Sequence, residues 1–297
     1  MPDSPVAVTI GIPTYKRPDC LARALACVAR QTYPNVRVLV SDNATPGSEV
    51  DPVIQQFAHA IPGLQLFKQP INIGQCPNFF FLLNQARTKY FMWLADDDEI
   101  SDNYVQRLVE LLEADPNIST ASGNWYWLTS PHTGRLMPAR SYASPSVVLR
   151  LLRYVWRADD AFFYGLHRTE FLNRARFSGY AWPNRDSVMN WAYVYLLDMV
   201  LRGKVLVHPD TSVRFINHDY TVKSYTASEA RLAGMLKHAI RRINVHVLYL
   251  GKIVRALGPI FALPFCLVSM ASLLKEGAAS FALRVKGKWA ALTRAGS

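Results

Sequence analysis

The sequence contains few cysteines, and their spacing excludes the common cysteine-based sites. No CxxC pair occurs among the four, which are Cys20, Cys27, Cys76 and Cys266. Thiols spaced in this way are typical of reduced structural cysteines in a cytosolic protein. The opening residues, "MPDSPVAVTIG", also lack a basic segment followed by an apolar one. The sequence therefore predicts neither disulfides nor an export signal.

Acidic residues are almost absent from the end of the chain. From Arg231 onward eleven lysines and arginines face one acid, Glu276, so this segment carries +10 of the formal net charge of +11. The preceding 230 residues are close to neutral. A basic charge spread over the whole chain would suggest a nucleic-acid partner, whereas this distribution suggests a tail that attaches to an anionic surface. We expect no nucleic-acid partner.

Low-complexity segments and internal repeats are missing as well, and half of the 297 residues are hydrophobic, which is typical of a globular chain. Strand-like and helix-like segments alternate through the first 125 residues, a pattern that predicts an α/β fold with a mostly parallel sheet. The predicted strands are 6–15, 35–44, 64–70, 90–95 and 118–130. Further on we expect a long helix over 186–204, two short strands at 204–209 and 211–218, and a helix over 227–257.

Three predicted strands end in polar residues: Thr14–Arg17, Ser41–Asn43 and Asp96–Glu99. In parallel sheets the carboxyl ends of the strands meet at one edge, where ligands bind. The third cluster, in "FMWLADDDEISDNYV", places four consecutive acids after an apolar strand. Because like charges repel, this cluster predicts a cation among the acids.

Three stretches together resemble the family 2 glycosyltransferases, which have the GT-A fold. They are "VTIGIPTYKRPDCLARALACVARQTYPNVRVLVSDNAT", "NIGQCPNFFFLLNQA" and "FMWLADDDEISDNYV". The resemblance covers residues 6–125, with weaker similarity to about 225. It implies the inverting transfer of a sugar, most simply a hexose, from a nucleotide-diphosphate donor to an acceptor hydroxyl, assisted by a divalent metal. It also implies a Rossmann-like sheet flanked by helices.

The resemblance gives each acid of the cluster a role. Asp98 is expected to bind Mg²⁺ or Mn²⁺, Asp97 to lie close to the metal, and Asp96 to face the nucleotide. Oxygen ligands suit such hard cations, and the metal would neutralise the diphosphate leaving group. The alternative is that these acids only decorate the start of the next helix, where negative charge is favourable.

A base pocket is implied near the ends of the first two strands. Asp42 is expected to accept a hydrogen bond from the imide N–H of uracil or thymine, which favours UDP or dTDP donors; an Asx turn closing the strand is the alternative. Pro13, Thr14 and Tyr15 are expected to line the same pocket. Arg17 is expected to reach a phosphate, or else to be a surface charge.

The segment "NIGQCPN" resembles the family loop that passes the nucleotide, although the residues after its glycine depart from the family pattern. Asn72 and Gly74 are the candidate contacts, and Asn78 is interpreted as a helix cap.

Inverting transfer requires a base that accepts the proton of the acceptor hydroxyl. The family places an aspartate at a helix start in the acceptor half, and Asp186 in "WPNRDSVMNW" matches that position, although the usual neighbouring signature is absent. Asp159 and Asp160 are the competing candidates. Asp198 is a weaker one because it lies in the middle of the predicted helix.

Two further groups of residues are candidates in the acceptor half. His218 matches a late family segment that lies against the metal or diphosphate, where Arg214 or Lys223 would screen phosphate charge. Aromatic rings stack on sugars, but at least half of those in this region are expected to be core, so only Tyr164 and Trp182 are selected. The aromatic set is Trp125, Tyr126, Trp127, Phe162, Phe163, Tyr164 and Trp182.

The end of the chain suggests a membrane surface. Residues 256–274 carry no charge but contain two prolines, so we expect the tail to lie in the headgroup region, with insertion or a dimer interface as alternatives. The implied organisation is a GT-A domain at 1–225, divided into a nucleotide half (1–125) and an acceptor half (126–225), followed by a helical basic tail at 226–297. Residues 231–297 would hold the enzyme peripherally or monotopically at the cytoplasmic face of the inner or plasma membrane, beside a lipid-linked or polysaccharide acceptor.

Two other functions fit parts of the pattern. A nucleotidyltransferase also combines an α/β sheet with acidic metal ligands, but it would carry an early glycine-rich phosphate loop, and "GIPTYKRPD" is not one. A non-catalytic basic protein that binds nucleic acid or membrane through its tail would not need the acids at 96–98.

Overall fold

A single mixed sheet organises the computed structural model of the chain, which describes residues 5–130, 133–157, 160–172, 188–216 and 232–275. The strands are β1 (Val8–Thr14), β2 (Val36–Asp42), β3 (Leu64–Lys68), β4 (Tyr90–Trp93), β5 (Asp98–Ile100), β6 (Ile118–Ser130), β7 (Thr133–Met137), β8 (Leu166–Arg168) and β9 (Lys204–Ile216). The helices are α1 (Pro18–Ala29), α2 (Val50–Phe57), α3 (Gln75–Gln85), α4 (Tyr104–Ala114), α5 (Val147–Arg157), α6 (Val188–Arg202), α7 (Leu232–Leu257) and α8 (262–275).

The strand order is β3-β2-β1-β4-β8-β6-β9-β5, with β7 paired to β6. The first four strands are parallel, as are β6 and β9, whereas β8 runs antiparallel to both of its neighbours and β5 antiparallel to β9. The α/β prediction is confirmed. These antiparallel pairs involve two short strands: β8 lies between β4 and β6, and β5 lies at the edge of the sheet beside β9.

Burial explains why the central strands read as continuous apolar runs. Every residue of β1 and β4 is buried, as expected for strands covered by helices on both faces. Helix α1 begins at Pro18, a residue that suits a first helical position because its missing N–H would have no partner there. These elements hold the carboxyl ends of β1, β2 and β4 at one edge.

The last described helices are part of the main core. Tyr249 and Ile253 of α7 and Phe265 of α8 are all at most 1% exposed and belong to the same apolar cluster as Trp93 and Tyr154. Lys252 also forms an ion pair with Asp198 of α6. The division of the chain at residue 226 remains a proposal, but α7 contributes directly to the core beneath the sheet.

The prediction of two short strands at 204–209 and 211–218 is wrong, because the described residues form one strand, β9. Its register against β6 shifts between Gly123, which pairs with His208, and Asn124, which pairs with Ser212. Residues 209–211 therefore form a bulge, and the Asn124 side chain donates to the Pro209 carbonyl within it. A Cβ at Gly123 would lie 2.7 Å from Thr211 Oγ1, so the bulge requires glycine there.

Within the described ranges, none of the helices combines the length and the apolar character that crossing a bilayer requires.

Candidate functional site

The sheet register brings the polar strand ends together. Thr14, the last residue of β1, pairs directly with Asp42, the last residue of β2. The β4 strand runs parallel on the other side of β1, and the chain leaves it into the acidic cluster. Three polar clusters that lie far apart in sequence therefore share one edge, as the α/β pattern predicted.

Asp96 is a carboxylate with no exposure to solvent. Thr14 Oγ1 donates a hydrogen bond of 2.7 Å to its Oδ2. Arg17 Nη2 lies 2.5 Å from Oδ1, an ion pair without hydrogen-bond alignment, so Oδ1 has no aligned donor among the described residues. Burial raises the pKa of Asp96 to about 6, despite the opposing attraction of Arg17. A buried, incompletely paired carboxylate is costly and marks a candidate ligand site.

Arg17 is the cation that the described residues place among the acids. Its Nη1 donates to Asp97 Oδ2 at 2.6 Å while Nη2 faces Asp96, and 44% of its side chain remains exposed. The sequence predicts that Arg17 reaches a phosphate or lies on the surface, and that a metal lies among the acids. The ion pairs add a third arrangement, in which Arg17 itself balances Asp96 and Asp97.

Two loops at this edge hold backbone conformations that side chains rarely adopt. Lys16 after β1 has φ of 55° and Ala44 after β2 has φ of 65°. The loops are tied together because the Lys16 N–H donates to Thr45 Oγ1 at 2.8 Å. Strained residues of this kind persist only where surrounding contacts hold them, and they cluster at functional sites. Here they fix Tyr15 and Arg17 beside the acids.

Asp42 is buried and closes a turn. Its Oδ1 accepts from the Thr45 N–H at 3.2 Å and from the Thr45 hydroxyl at 2.5 Å. This turn corresponds to the alternative that the sequence leaves open beside base binding. Because the turn uses only Oδ1, the contact to a base imide stays a prediction that concerns Oδ2.

The loop before α3 is joined to the same edge. Asn72 Oδ1 accepts from Asn43 Nδ2 at 3.0 Å and from the Gly74 N–H at 2.9 Å. Gly74 has φ of 86°, a conformation that favours glycine, and it precedes the first turn of α3. Hydrogen bonds to Lys16 and Asn72 lower the pKa of Tyr15. Asn72, Gly74 and Tyr15 therefore line one continuous rim, above the buried Pro13.

Asn78 does not cap its helix, contrary to our interpretation. It lies inside α3, which begins after Gly74, and is 2% exposed. Its side chain exchanges two hydrogen bonds with Ser41: Ser41 Oγ donates to Oδ1, and Nδ2 donates to the Ser41 carbonyl. Asn78 thus fastens α3 to the end of β2.

Asp98 begins β5 and is 5% exposed. It pairs across the sheet with Phe215 of β9, whereas Glu99 pairs with Arg214. Because neighbouring residues of a strand point to opposite faces, Arg214 lies on the face opposite to Asp98. Arg214 is therefore poorly placed to screen phosphate beside Asp98.

Several candidates lie outside the described residues: Asp159, Trp182, Asp186, His218 and Lys223. Asp160 is described and half-buried, and the pKa of Tyr164 is raised by burial and then by the charges of Asp98, Asp97 and Asp160. Asp198 is held by Lys252, which agrees with its lower rank as a base. In the described part of the chain no three His, Cys, Asp or Glu side chains group closely enough to hold a metal by themselves.

An open cleft of about 770 Å³ lies away from this site, at the amino end of β4. Its charged lining residues are Arg87, Lys89, Glu170 and Arg202. Arg87 follows the end of α3 and Arg202 is the last residue of α6, where positive charge offsets the helix dipole. Lys89 pairs with Glu113. The three cations of the cleft therefore have structural roles, and the acidic edge remains the candidate site.

Comparisons with known proteins find relatives of both the sequence and the fold. A model of the family described as Glycosyl transferase family 2 matches residues 9–186, more than half of the chain. WcaA of Escherichia coli K12, which is named a colanic acid biosynthesis glycosyl transferase, is 25% identical over 173 residues. That alignment covers 52% of this chain and 60% of WcaA. The matched region is less than two thirds of the length of the curated relatives.

Solved structures share the fold. S. aureus TarS 1-349 in complex with UDP has a TM-score of 0.59 at 12% identity, and the match covers 90% of this chain and 70% of that one. The mannosyltransferase PcManGT from Pyrobaculum calidifontis, in complex with GDP-Man and Mn²⁺, has a TM-score of 0.56 at 17% identity, covering 98% and 82%. The curved mixed sheet with flanking helices is that of GT-A structures such as TarS.

Asp96 provides a stability test of the site. A carboxyl whose pKa rises from 3.8 to about 6 on folding binds protons more tightly in the folded state, so its ionisation destabilises the fold as pH rises between these values. We expect Asp96→Asn to raise the free energy of unfolding above pH 6 by up to about 3 kcal/mol, with no gain near pH 4. Urea unfolding at both pH values measures this. Asp97→Asn, at a carboxylate only partly buried, is the matched control; a less stable Asp96→Asn variant at pH 7.5 would contradict the account.

Proposed function

The chain belongs to glycosyl transferase family 2 and is a transferase enzyme, and from that premise we propose that it moves a hexose from UDP or dTDP to a hydroxyl of a lipid-linked or polysaccharide acceptor, with inversion. The observation that carries the proposal is the buried Asp96 at the edge where β1, β2 and β4 end. Family membership speaks against the two alternatives, a nucleotidyltransferase and a non-catalytic basic protein.

The donor would lie along the rim built by the strand ends. Pro13, Thr14 and Tyr15 would line the base, Asp42 Oδ2 would accept from its imide N–H, and the chain at Asn72 and Gly74 would pass the nucleotide. Similar folds support a nucleotide-sugar donor, since TarS structures hold UDP and UDP-GlcNAc and PcManGT holds GDP-Man. Uracil and thymine fit an acceptor-only carboxylate because both present an N–H between two carbonyls.

A divalent ion, Mg²⁺ or Mn²⁺, fits the acidic edge. Among the described residues, no three metal-binding side chains group together. Such a site suits Mg²⁺, because this ion commonly takes one or two carboxylates and completes its shell with waters and substrate phosphates. Asp98 and Asp97 would hold it, with His218 as a further ligand. The ion supplies positive charge against the diphosphate as it leaves.

Arg17 would change partners when the donor binds. It balances Asp96 and Asp97 through contacts of 2.5 and 2.6 Å, and 44% of its side chain is exposed. The exposed guanidinium would bind donor phosphate, for which its planar N–H groups are suited. Thr14 keeps Asp96 oriented by its hydrogen bond throughout.

Asp186 would act as the base. The acceptor hydroxyl gives its proton to the carboxylate, its oxygen forms a bond to the anomeric carbon from the far side, and the carbon–oxygen bond to the diphosphate breaks with the electron pair leaving on the phosphate oxygen. Asp159 and Asp160 remain the rival bases.

Residues 231–297 would bind the cytoplasmic face of the inner or plasma membrane, where lipid-linked acceptors are held. Exposed aliphatic side chains on α8 and immediately before it support this proposal. Five of them recur every three or four residues, so they share one face, and each is more than half exposed: Ile260, Leu263, Leu267, Met270 and Leu274. Ser269 and Ser272 on the other side are buried. The +10 charge of residues 231–297 suits anionic lipid and opposes pairing of two such tails.

The metal assignment is tested at Asp98. Asp98→Asn should lower Mn²⁺-dependent turnover of a nucleotide sugar at least 100-fold, because an amide does not supply the charge that the ion requires. Glu99→Gln, at the next residue on the opposite face, should retain activity within about threefold. Circular dichroism checks that both variants fold. Unchanged turnover in Asp98→Asn would overturn the assignment.

The base assignment is tested by comparing three variants. We expect Asp186→Asn to lose transfer by about 10²–10⁴-fold while donor affinity stays unchanged, since the carboxylate acts only on the acceptor proton. Asp159→Asn and Asp160→Asn should keep transfer. If one of these loses transfer instead, that residue is the base.

The membrane proposal is better tested by a point substitution than by truncation, because removing α7 would delete the core residues Tyr249 and Ile253. Leu267→Glu should weaken binding to vesicles of phosphatidylcholine and phosphatidylglycerol at least tenfold, since it removes apolar burial and adds repulsion. Leu136→Glu, on the exposed β7, should bind as the parent does. Equal binding by all three proteins in a flotation assay would refute the proposed surface.

A further inference from the structure

Three aromatic rings form a continuous wall beside the acidic cluster. Tyr164 and Phe215 have ring centroids 5.6 Å apart, and Phe215 and Trp125 are 4.4 Å apart. Phe215 is the cross-strand partner of Asp98, so the two side chains lie on the same face of the sheet. This aromatic wall (Tyr164, Phe215, Trp125) therefore extends from the acids toward the β6–β7 hairpin.

Trp125 is not a core residue. Although Tyr164 and Phe215 pack partly against the second apolar cluster, Trp125 belongs to neither cluster among the described residues. It is half-buried, and its two cross-strand partners are Met137 of β7, which is 47% exposed, and Val213 of β9, which is buried. The large ring at the outer end of the wall thus lies at the margin of the packing that folds the domain.

The indole N–H of Trp125 lacks an acceptor in the described part of the chain, although it is shielded from solvent. The buried core residue Trp93 provides the contrast, because its Nε1 donates to the Phe79 carbonyl at 2.8 Å. Leaving such a donor unpaired costs about 1–3 kcal/mol. A buried donor without a partner next to a candidate active site is therefore explained most simply by a ligand that supplies the acceptor.

The charge around the wall selects the kind of ligand. Asp96, Asp97, Asp98 and Asp160 all act electrostatically on Tyr164 and, after burial, contribute to raising its pKa. A neutral group rich in hydroxyls can donate hydrogen bonds to these acids directly, whereas a phosphate or carboxylate on the wall would need Arg17 or the proposed divalent ion to offset their charge.

We propose that the aromatic wall is the acceptor subsite and that it binds a neutral pyranose ring, whose C–H face stacks on Phe215 and Trp125 and whose hydroxyl accepts from the Trp125 N–H. The inference rests on the proposed transferase function and deepens it. It makes the group next to the reacting hydroxyl a sugar, so the acceptor is a glycan, whether free or lipid-linked, and not a bare lipid phosphate. This hydrogen bond requires the half-buried indole to rotate so that its N–H faces the ligand.

The opposing interpretation is that the wall only packs the β6–β7 hairpin. It predicts that removing the indole N–H while keeping a ring changes stability slightly and ligand binding not at all. The two interpretations therefore differ in what Trp125→Phe does to sugar binding.

Saturation-transfer difference NMR on the full chain tests the proposal, with UDP and Mn²⁺ present and absent. The probes are methyl glycosides of glucose, galactose, mannose and N-acetylglucosamine, and methyl glucuronide serves as an anionic counterpart of the glucoside. We expect at least one neutral probe to bind, and glucuronide to bind more weakly than glucoside. Trp125→Phe should raise the Kd of the bound probe about fivefold, the equivalent of one neutral hydrogen bond. Trp125→Leu should abolish detectable saturation transfer to the probe.

Trp156→Phe is the matched control. Trp156 lies on α5 with 36% exposure, so we expect its substitution to leave sugar binding unchanged. The proposal is overturned if no neutral pyranoside is saturated, or if both Trp125 variants bind as tightly as the parent. Calorimetric titration of the same samples with a nucleotide sugar tests the proposed transferase function separately from the acceptor subsite. Donor binding without pyranoside binding would overturn the acceptor subsite alone, whereas absent donor binding would count against the transferase proposal itself.

Discussion

The burial of one carboxylate, Asp96, is the constraint on which the site depends. A charged group without solvent contact is tolerated only if neighbouring groups stabilise it, and here Thr14 and Arg17 do so from the end of β1 and the loop that follows. The contact fixes β1 against β4 at their carboxyl ends. Strained backbone at Lys16 and the bond from Lys16 to Thr45 then fix the β2 loop to the same place. One costly group thus organises three loops.

The same arrangement explains how stability and function oppose each other at this edge. Burial raises the pKa of Asp96, so the fold would be more stable without its charge at neutral pH. Natural sequences keep such groups where activity requires them. The indole N–H of Trp125, which has no acceptor among the described residues, is a second costly feature close to the same acids. Two unfavourable groups near one edge are typical of a binding site that is completed by its ligands.

Much of this could be predicted from sequence because the relevant signals are local. The strand ends at Thr14, Asp42 and Asp96 follow apolar runs directly, and a parallel sheet brings such ends together whatever the details of the loops. The ion pairs of Arg17 could not be predicted, because they join residues about 80 positions apart through a loop conformation that no pattern specifies. The β9 bulge was missed since Pro209 was interpreted as the end of a strand. Trp125 could not be distinguished from core aromatics, because its place outside both apolar clusters and its lack of an acceptor among the described residues are visible only in the folded chain.

The central claim is that the acidic edge binds a nucleotide sugar through a divalent metal. The most direct measurement is calorimetric titration of the full chain with UDP, dTDP, GDP and CMP sugars, each with and without Mn²⁺. The account predicts that a UDP or dTDP sugar binds and that its affinity falls at least tenfold when the metal is removed. Binding of a GDP or CMP sugar in preference, or equal affinity with and without Mn²⁺, would contradict it.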